Sequence, residues 1–339
     1  MSLSNAPFRR PTLADVARGA GVSIATASRV LNGGVASPAA RARVDAAADS
    51  LGYIPNAHAQ SLRRERTMTI GVAFFSLKLP GALDMLESLS RQLDDSGYTL
   101  LIADTAGDVA RFDRILARFL ERRVDALICV NPHNIGPVLD RFLADGIPAA
   151  AVMSRGRGAA QLPLFGADLR PAVEAAVARL IELGHSRVSA VLPGGEGGPF
   201  RAVWKTLRAS GLAVDAVNPF SRDFSGAEVM AHASSRGGAS AIISTYPVAL
   251  ELLRAARAAN VAVPRDVSLL AVSDDPGVAE LLETPLSAIE VDLGALGQAV
   301  AAAMLTWLSG DPPARNTLVP VSSWVERATT GPAGGAANQ

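Results

Sequence analysis

The sequence predicts a small all-α head followed by a large α/β body of two lobes, each a parallel sheet with helices on both faces. Three observations predict it. Residues 12–52 carry apolar side chains at helical spacing, punctuated by Ser, Pro and Gly boundary signals. From Met68 onward, buried-strand runs alternate with helical stretches, the pattern of a parallel sheet. Charge divides at the same place. Residues 1–66 hold nine Arg against four Asp or Glu, a net +5, and the formal charge of the whole chain is +0, so the remainder is −5. A basic head on an acidic body implies that only the head meets a polyanion, and the plain alternative is an arginine-rich solvated surface.

Composition excludes several classes. At 339 residues with 49% hydrophobic and 19% charged, the chain suits a soluble protein of more than one domain. A single cysteine, Cys129, excludes a disulfide framework and a cysteine metal cluster. The four histidines are scattered without metal spacing, so no metal and no cofactor is expected. The N-terminus MSLSNAPFRRP lacks the apolar core of a signal peptide, and no run reads as a bilayer span. The expectation is a cytoplasmic protein with no membrane partner. No G-x-S-x-G, H-E-x-x-H or Walker-type loop is present, so no catalysis is expected. The glycine-rich GGEGGP at 194–199 lacks the Lys and Ser/Thr of a phosphate cradle and reads as a loop.

The head, 8–54, reads as three helices. Thr12 caps the first, and Asp15 three residues on closes a capping box. Leu13, Val16, Ala17 and Ala20 form its apolar face, and Gly21 supplies the positive φ of a sharp reversal. Ser23 caps a second helix over 24–31, and small Ala17 and Ala27 let the two cross closely. A third helix starts at Pro38 behind Ser37, carries Val44, Ala47, Ala48 and Leu51 on one face, and stops at Gly52. The first two helices have the layout of a helix-turn-helix.

The stretch TLADVARGAGVSIATASRVLNGG, with VDAAADSLGYIPNAHAQSL after it, resembles the DNA-binding head of the LacI/GalR family of bacterial repressors. In a helix-turn-helix, the second helix enters the major groove with its N-terminal residues on base edges. Ile24 and Ala25 then offer apolar contact to thymine methyls, and Arg29 a bidentate contact to guanine. Ser23, Thr26, Ser28 and Asn32 read as phosphate contacts. The resemblance also places Thr12, Tyr53 and Asn56 among the DNA contacts. Residues 55–66 resemble the family's hinge helix and linker. By that resemblance Leu62 wedges into the minor groove, Ala59 packs beside it and Arg63 meets the backbone or groove floor. The alternative for Leu62 is ordinary linker core.

In the body, 67–330, helices are expected near 82–96, 109–122, 135–145, 171–183, 199–210, 247–259 and 276–282, separated by strands such as TIGVAFF, TLLIA, DALICV, AAAVM, VSAVL, AII and SLLAVS. The lobes are expected at about 67–168 with 293–323 and about 169–292 with 324–330, and the tail 331–339 reads as disordered. TIGV, SGYTLLIADT, ERRVDALI, DGIPAAAV, LIELGHSRV, VPRDVSLLAVSDD and SSWVERATT resemble the LacI/GalR body, whose fold is that of periplasmic sugar-binding proteins.

That resemblance implies a repressor acting as a homodimer on a palindromic operator in double-stranded DNA, with a small-molecule effector, a sugar or related metabolite, between the lobes at the strand ends. Effector contacts are expected at Phe75, Asn131, Arg155, Asp168, Arg201, Tyr246 and Asp274. A helix cap or structural ion pair is the alternative at the polar positions, and only at Asp274 does the ligand role outweigh it. The departures bear on effector class. Tyr246-Pro247 stands where the family shows Asn-Asp, Pro199 where it places a clamping arginine, with Arg201 two residues on, and Gly81-Ala82 in place of an aromatic pair. Leu79 and Leu169 replace asparagines. The cleft therefore suits a less polar or planar ligand, stacked on Tyr246, or none. A plain solute-binding protein, or a regulator answering a protein partner, are the competing readings.

Overall fold

A computed structural model of the chain describes residues 11–54, 66–132, 137–154, 161–193, 200–235, 237–273 and 275–333. The chain divides between Met68 and Thr69. The first unit holds α1 (Leu13–Ala20), α2 (Ile24–Leu31) and α3 (Pro38–Leu51). Its core is Val16, Ala17, Ala20, Ala27, Val30, Val44, Ala47 and Ala48. Alanine dominates because three short helices crossing closely leave no room for larger side chains.

The second unit opens with β1 (Thr69–Phe74), α4 (Ala82–Asp94), β2 (Thr99–Asp104), α5 (Val109–Glu121), β3 (Ala126–Val130), α6 (Val138–Ala144), β4 (Ala149–Val152) and β5 (Leu164–Ala167). It continues with α7 (Arg170–Glu182), β6 (Arg187–Val191), α8 (Arg201–Ala209), β7 (Ala213–Val217), α9 (Gly226–Ala233), β8 (Ala241–Thr245), α10 (Tyr246–Ala258), β9 (Ser268–Val272), α11 (Pro276–Ala279) and β10 (Ser287–Val291). It closes with α12 (Leu293–Leu308), β11 (Asn316–Val319) and β12 (Ser322–Val325).

These strands form two six-stranded sheets, β11-β5-β4-β3-β1-β2 and β12-β10-β9-β8-β6-β7. All pairings are parallel except β10 with β12. The backbone passes from the first sheet to the second at Asp168–Leu169, returns through α12, and crosses again between Val319 and Ser322. Ser322 and Ser323 pair with Val291 and Glu290. They therefore belong with the second sheet, and the lobe boundary expected after residue 323 moves forward to before residue 322.

Alternation sets both faces of the second sheet. Ala241 and Ile243 of β8 pack with Ala190, Leu270 and Val272 beneath α7 and α8. Ile242 packs with Leu269 and Ala271 beneath α9 and α10. α12 lies along α4, where a Cβ at Gly297 would come within 2.8 Å of the Met85 carbonyl oxygen. Only glycine permits that approach.

Two further expectations change. The β7–α9 unit was not anticipated, because AVDAV is an edge strand carrying Asp215, whose carboxylate pairs with Arg187 on β6. Residues 331–333 are ordered, not a disordered tail. Gly331 N–H donates to Ser268 Oγ at 3.0 Å and Ala333 N–H to the Leu183 carbonyl at 2.8 Å. Residues 334–339 lie outside the described residues.

Candidate nucleic-acid interface and strand-end crevice

The head builds one open helical face. Thr12 N–H and Oγ1–H both donate to Asp15 Oδ2, at 3.0 and 2.7 Å, and Thr12 Oγ1 accepts from Asp15 N–H at 3.3 Å. Gly21 then turns the chain at φ 63°. Ser23 Oγ accepts from Thr26 N–H at 3.1 Å and starts α2. Ala27 and Val30 bury the inner face of α2. That leaves Ile24 (55% exposed), Ala25 and Arg29 outward, with Ser23 and Asn32 exposed and Thr26 half-buried. Ser28 departs from the phosphate role expected of it. It is only 6% exposed, and Asn32 Nδ2 donates to its carbonyl and, at 3.3 Å, to its Oγ. Ser28 and Asn32 therefore finish the helix by bonding to each other. Tyr53 lies half-buried against the head core. Asn56, Ala59, Leu62 and Arg63 lie outside the described residues.

Sequence reasoning missed the contribution of Gly34 and Arg41. Gly34 N–H donates to the Arg29 carbonyl at 2.8 Å, and Arg41 Nη2 donates to the Gly34 carbonyl at 2.8 Å. The signal available was the Gly33-Gly34 pair immediately after α2.

In the body, the expected crevice residues follow the carboxyl ends of strands, where open α/β sheets bind ligands. Phe75 continues β1 by one bond, its N–H donating to the Val130 carbonyl at 3.0 Å. A Cβ at Gly107 would come within 3.0 Å of its ring. Asn131, at φ 51°, extends β3 with its N–H on the Val152 carbonyl at 2.9 Å. Asp168 follows β5, and Arg170 engages both its carboxylate oxygens at 3.2 Å. These three share the carboxyl edge of the first sheet. Arg201 is exposed at the first position of α8, after β6 of the second sheet. Arg155 and Asp274 lie outside the described residues.

Tyr246 is the correction. It is the first residue of α10, with Pro247 second rather than first, and it is 6% exposed. Its ring packs in the core with Met230, Ile242, Leu269 and Ala271. A side chain in that place is a wall of the core, not a stacking platform. The residue at the strand end is Thr245, half-buried, the N-cap of α10, whose side chain makes no cap bond. The helix starts one residue earlier than the sequence suggests, at Tyr246 rather than Pro247, which leaves Thr245 as the strand-end residue.

Burial pushes the Cys129 thiol up to about 12, so no thiolate forms near neutrality. Among the described residues, no three His, Cys, Asp or Glu side chains could hold a metal ion. No described helix is long and apolar enough to cross a membrane.

Comparison with known proteins agrees with both units. Residues 12–56 match the family described as bacterial regulatory proteins, lacI family, and residues 177–330 match the periplasmic binding protein-like domain. The chain is 30% identical over 346 residues to the HTH-type transcriptional regulator MalR of Streptomyces coelicolor, covering 95% of this chain and 97% of that one. It is 28% identical over 315 residues to the ribose operon repressor of Escherichia coli, covering 85% and 90%. The crystal structure of the lac repressor dimer bound to operator and the anti-inducer ONPF superposes with a TM-score of 0.80 at 26% identity, over 95% of this chain and 100% of that one. A helix-turn-helix head, a body of two parallel sheets and likeness along nearly the whole length place the chain in the LacI family, as a DNA-binding transcriptional regulator.

Proposed function

We propose that the chain is a homodimeric repressor, working in the cytoplasm, that binds a palindromic operator with two heads and answers a small-molecule effector at the strand-end crevice. The observation that carries this reading is the open face of α2, where Ile24, Ala25 and Arg29 stand outward from a helix whose inner face, Ala27 and Val30, is buried. An exposed isoleucine and an exposed arginine on one helix suit a surface that meets thymine methyls and guanine edges. Ser23, Thr26 and Asn32 are assigned to the phosphates and Thr12, Tyr53 and the hinge residues to the flanking contacts. The lac repressor dimer supports the dimer, the operator and the effector by likeness. Phe75, Asn131, Asp168, Arg201 and Thr245 are the described residues assigned to the crevice.

Selection of bound duplexes from a randomised palindromic library tests the reading. The expected result is one enriched inverted repeat, bound with an affinity that falls steeply as salt rises. No preference over random DNA would sink it.

A second reading has two observations in its favour. Asp168 is already engaged by Arg170, and Tyr246 is spent in the core, so the crevice offers little to a sugar. A body answering a protein partner, or nothing, follows from that. A thermal-shift screen separates the two, because a ligand of the native state raises the melting temperature by mass action.

A further inference from the structure

We propose that Gly34 is a positioning residue for Arg29, so that the glycine turn after α2 fixes the direction of the base-reading arginine and thereby the operator's base preference. The inference rests on the reading of α2 as the helix that meets base edges.

Gly33 adopts φ 76°, a left-handed turn that closes α2 with its N–H on the Val30 carbonyl at 3.0 Å. That turn brings Gly34 back against the residue five positions earlier. A Cβ at Gly34 would lie 2.7 Å from Arg29 Cγ and 3.0 Å from the Arg29 carbonyl oxygen. Gly34 itself is not in the left-handed region, so its need for glycine is one of space rather than of backbone conformation. The volume a side chain would fill there is occupied by the stem of Arg29.

Arg41 holds the turn from the other side. Its Nη2 reaches from α3 to the Gly34 carbonyl, so the loop is pinned between two helices. The Arg29 stem therefore rests on a fixed surface, while its guanidinium remains exposed. No ion pair or hydrogen bond engages that guanidinium among the described residues. A long arginine loses much side-chain freedom on binding, and a stem already held loses less. The fork also needs one direction to meet guanine O6 and N7 together. An alanine at position 34 pushes Cγ away and sends the fork elsewhere.

The experiment uses the full chain and the randomised palindromic duplex pool, with wild type, Arg29→Ala, Gly34→Ala and Arg41→Gln compared by sequencing the bound fraction. Circular dichroism verifies that each variant is folded. Arg29→Ala locates the position it reads, with an expected loss of about tenfold in discrimination there. Gly34→Ala is expected to lose severalfold at that same position and to leave the others and the salt slope unchanged. A merely structural role would instead lower affinity alike at every position.

Wild-type discrimination at the Arg29 position in Gly34→Ala, or a uniform loss, overturns the inference while leaving the proposed function standing. No enriched sequence for wild type, or no position altered by Arg29→Ala, overturns the reading beneath it and the inference with it. Should Gly34→Ala fail to fold, Arg41→Gln decides. Relaxed preference confined to the Arg29 position upholds the inference, and an unchanged one rejects it.

Discussion

His185 Nε2 lies 3.0 Å from the carbonyl oxygen of Gly331, and its Nδ1 lies 2.8 Å from Ser240 Oγ. A carbonyl can only accept, so Nε2 carries the proton and Nδ1 accepts from the serine hydroxyl, a neutral imidazole. Ser268 Oγ donates to the same carbonyl at 3.0 Å. Residues after the last strand are thus fastened to the body by a histidine buried to 3% exposure.

This clasp has a pH dependence. Burial holds the His185 pKa below its ordinary 6.5, although the Gly331 carbonyl pulls the other way. A histidine whose folded pKa is depressed binds fewer protons folded than unfolded. Its contribution to stability is fully present above about pH 6.5, falls as the pH drops from there towards the folded value, and is gone once the pH lies below it. Melting temperature measured from pH 8 to pH 5 should fall more steeply at the acid end in wild type than in His185→Gln. Parallel curves would assign the acid sensitivity to other groups. At pH 8, His185→Ala should cost about 2 kcal/mol, because Gly331 and Ser240 lose a buried partner.

Tyr246 makes a second prediction, opposite to the one its sequence context implies. A tyrosine contacting effector would, when replaced by Asn, change effector response at little cost in stability. A tyrosine buried in the same core cluster as Met230 and Leu269 gives a different result. Tyr246→Asn should destabilise the body by about 3 kcal/mol, the scale of losing a buried aromatic. Urea unfolding of the full chain followed at the body transition reads this directly. An unfolding midpoint within error of wild type would return Tyr246 to the crevice.

The difference between those two outcomes shows what was legible in the sequence. Boundaries set by local chemistry were readable: Thr12, Ser23 and Ser37 cap their helices through their side chains, and Gly21 and Gly52 close α1 and α3 in the left-handed region. Continuous apolar runs such as ALICV and SLLAV are strands buried along their whole length. Facing was not readable where one residue decides it. At the end of β8, reading the junction one residue late exchanges Thr245 for Tyr246, and so exchanges a strand-end hydroxyl for a core ring. Edge strand β7 was hidden because half-exposed edges tolerate polar residues such as Asp215. The clasp at Gly331 joins residues 146 positions apart, beyond any local pattern.

The capping box gives a prediction confined to the head. Thr12→Ala removes the oxygen that accepts from Asp15 N–H and the hydroxyl that donates to Asp15 Oδ2. A lost N-cap costs about 1 kcal/mol, so the α1 amides should exchange with solvent about fivefold faster while body amides keep their rates. Hydrogen exchange by mass spectrometry on the full chain measures both in one sample. Unchanged exchange in α1 would mean that packing of Val16, Ala17 and Ala20 alone holds the helix.

Ile24 separates recognition from folding. At 55% exposed and at the first position of α2, it contributes little to the head core, so Ile24→Ala should shift head stability by less than about 0.5 kcal/mol. If it contacts thymine methyls, the same change should lower operator affinity about tenfold, with the loss concentrated at particular thymine positions. An apolar contact releases no counterions, so the slope of log affinity against log salt should stay at its wild-type value. Titrations of operator and thymine-substituted duplexes at several salt concentrations distinguish this from a phosphate role. A reduced slope, or an equal loss on every duplex, would place Ile24 outside the groove and leave Ala25 and Arg29 as the base-reading candidates of α2.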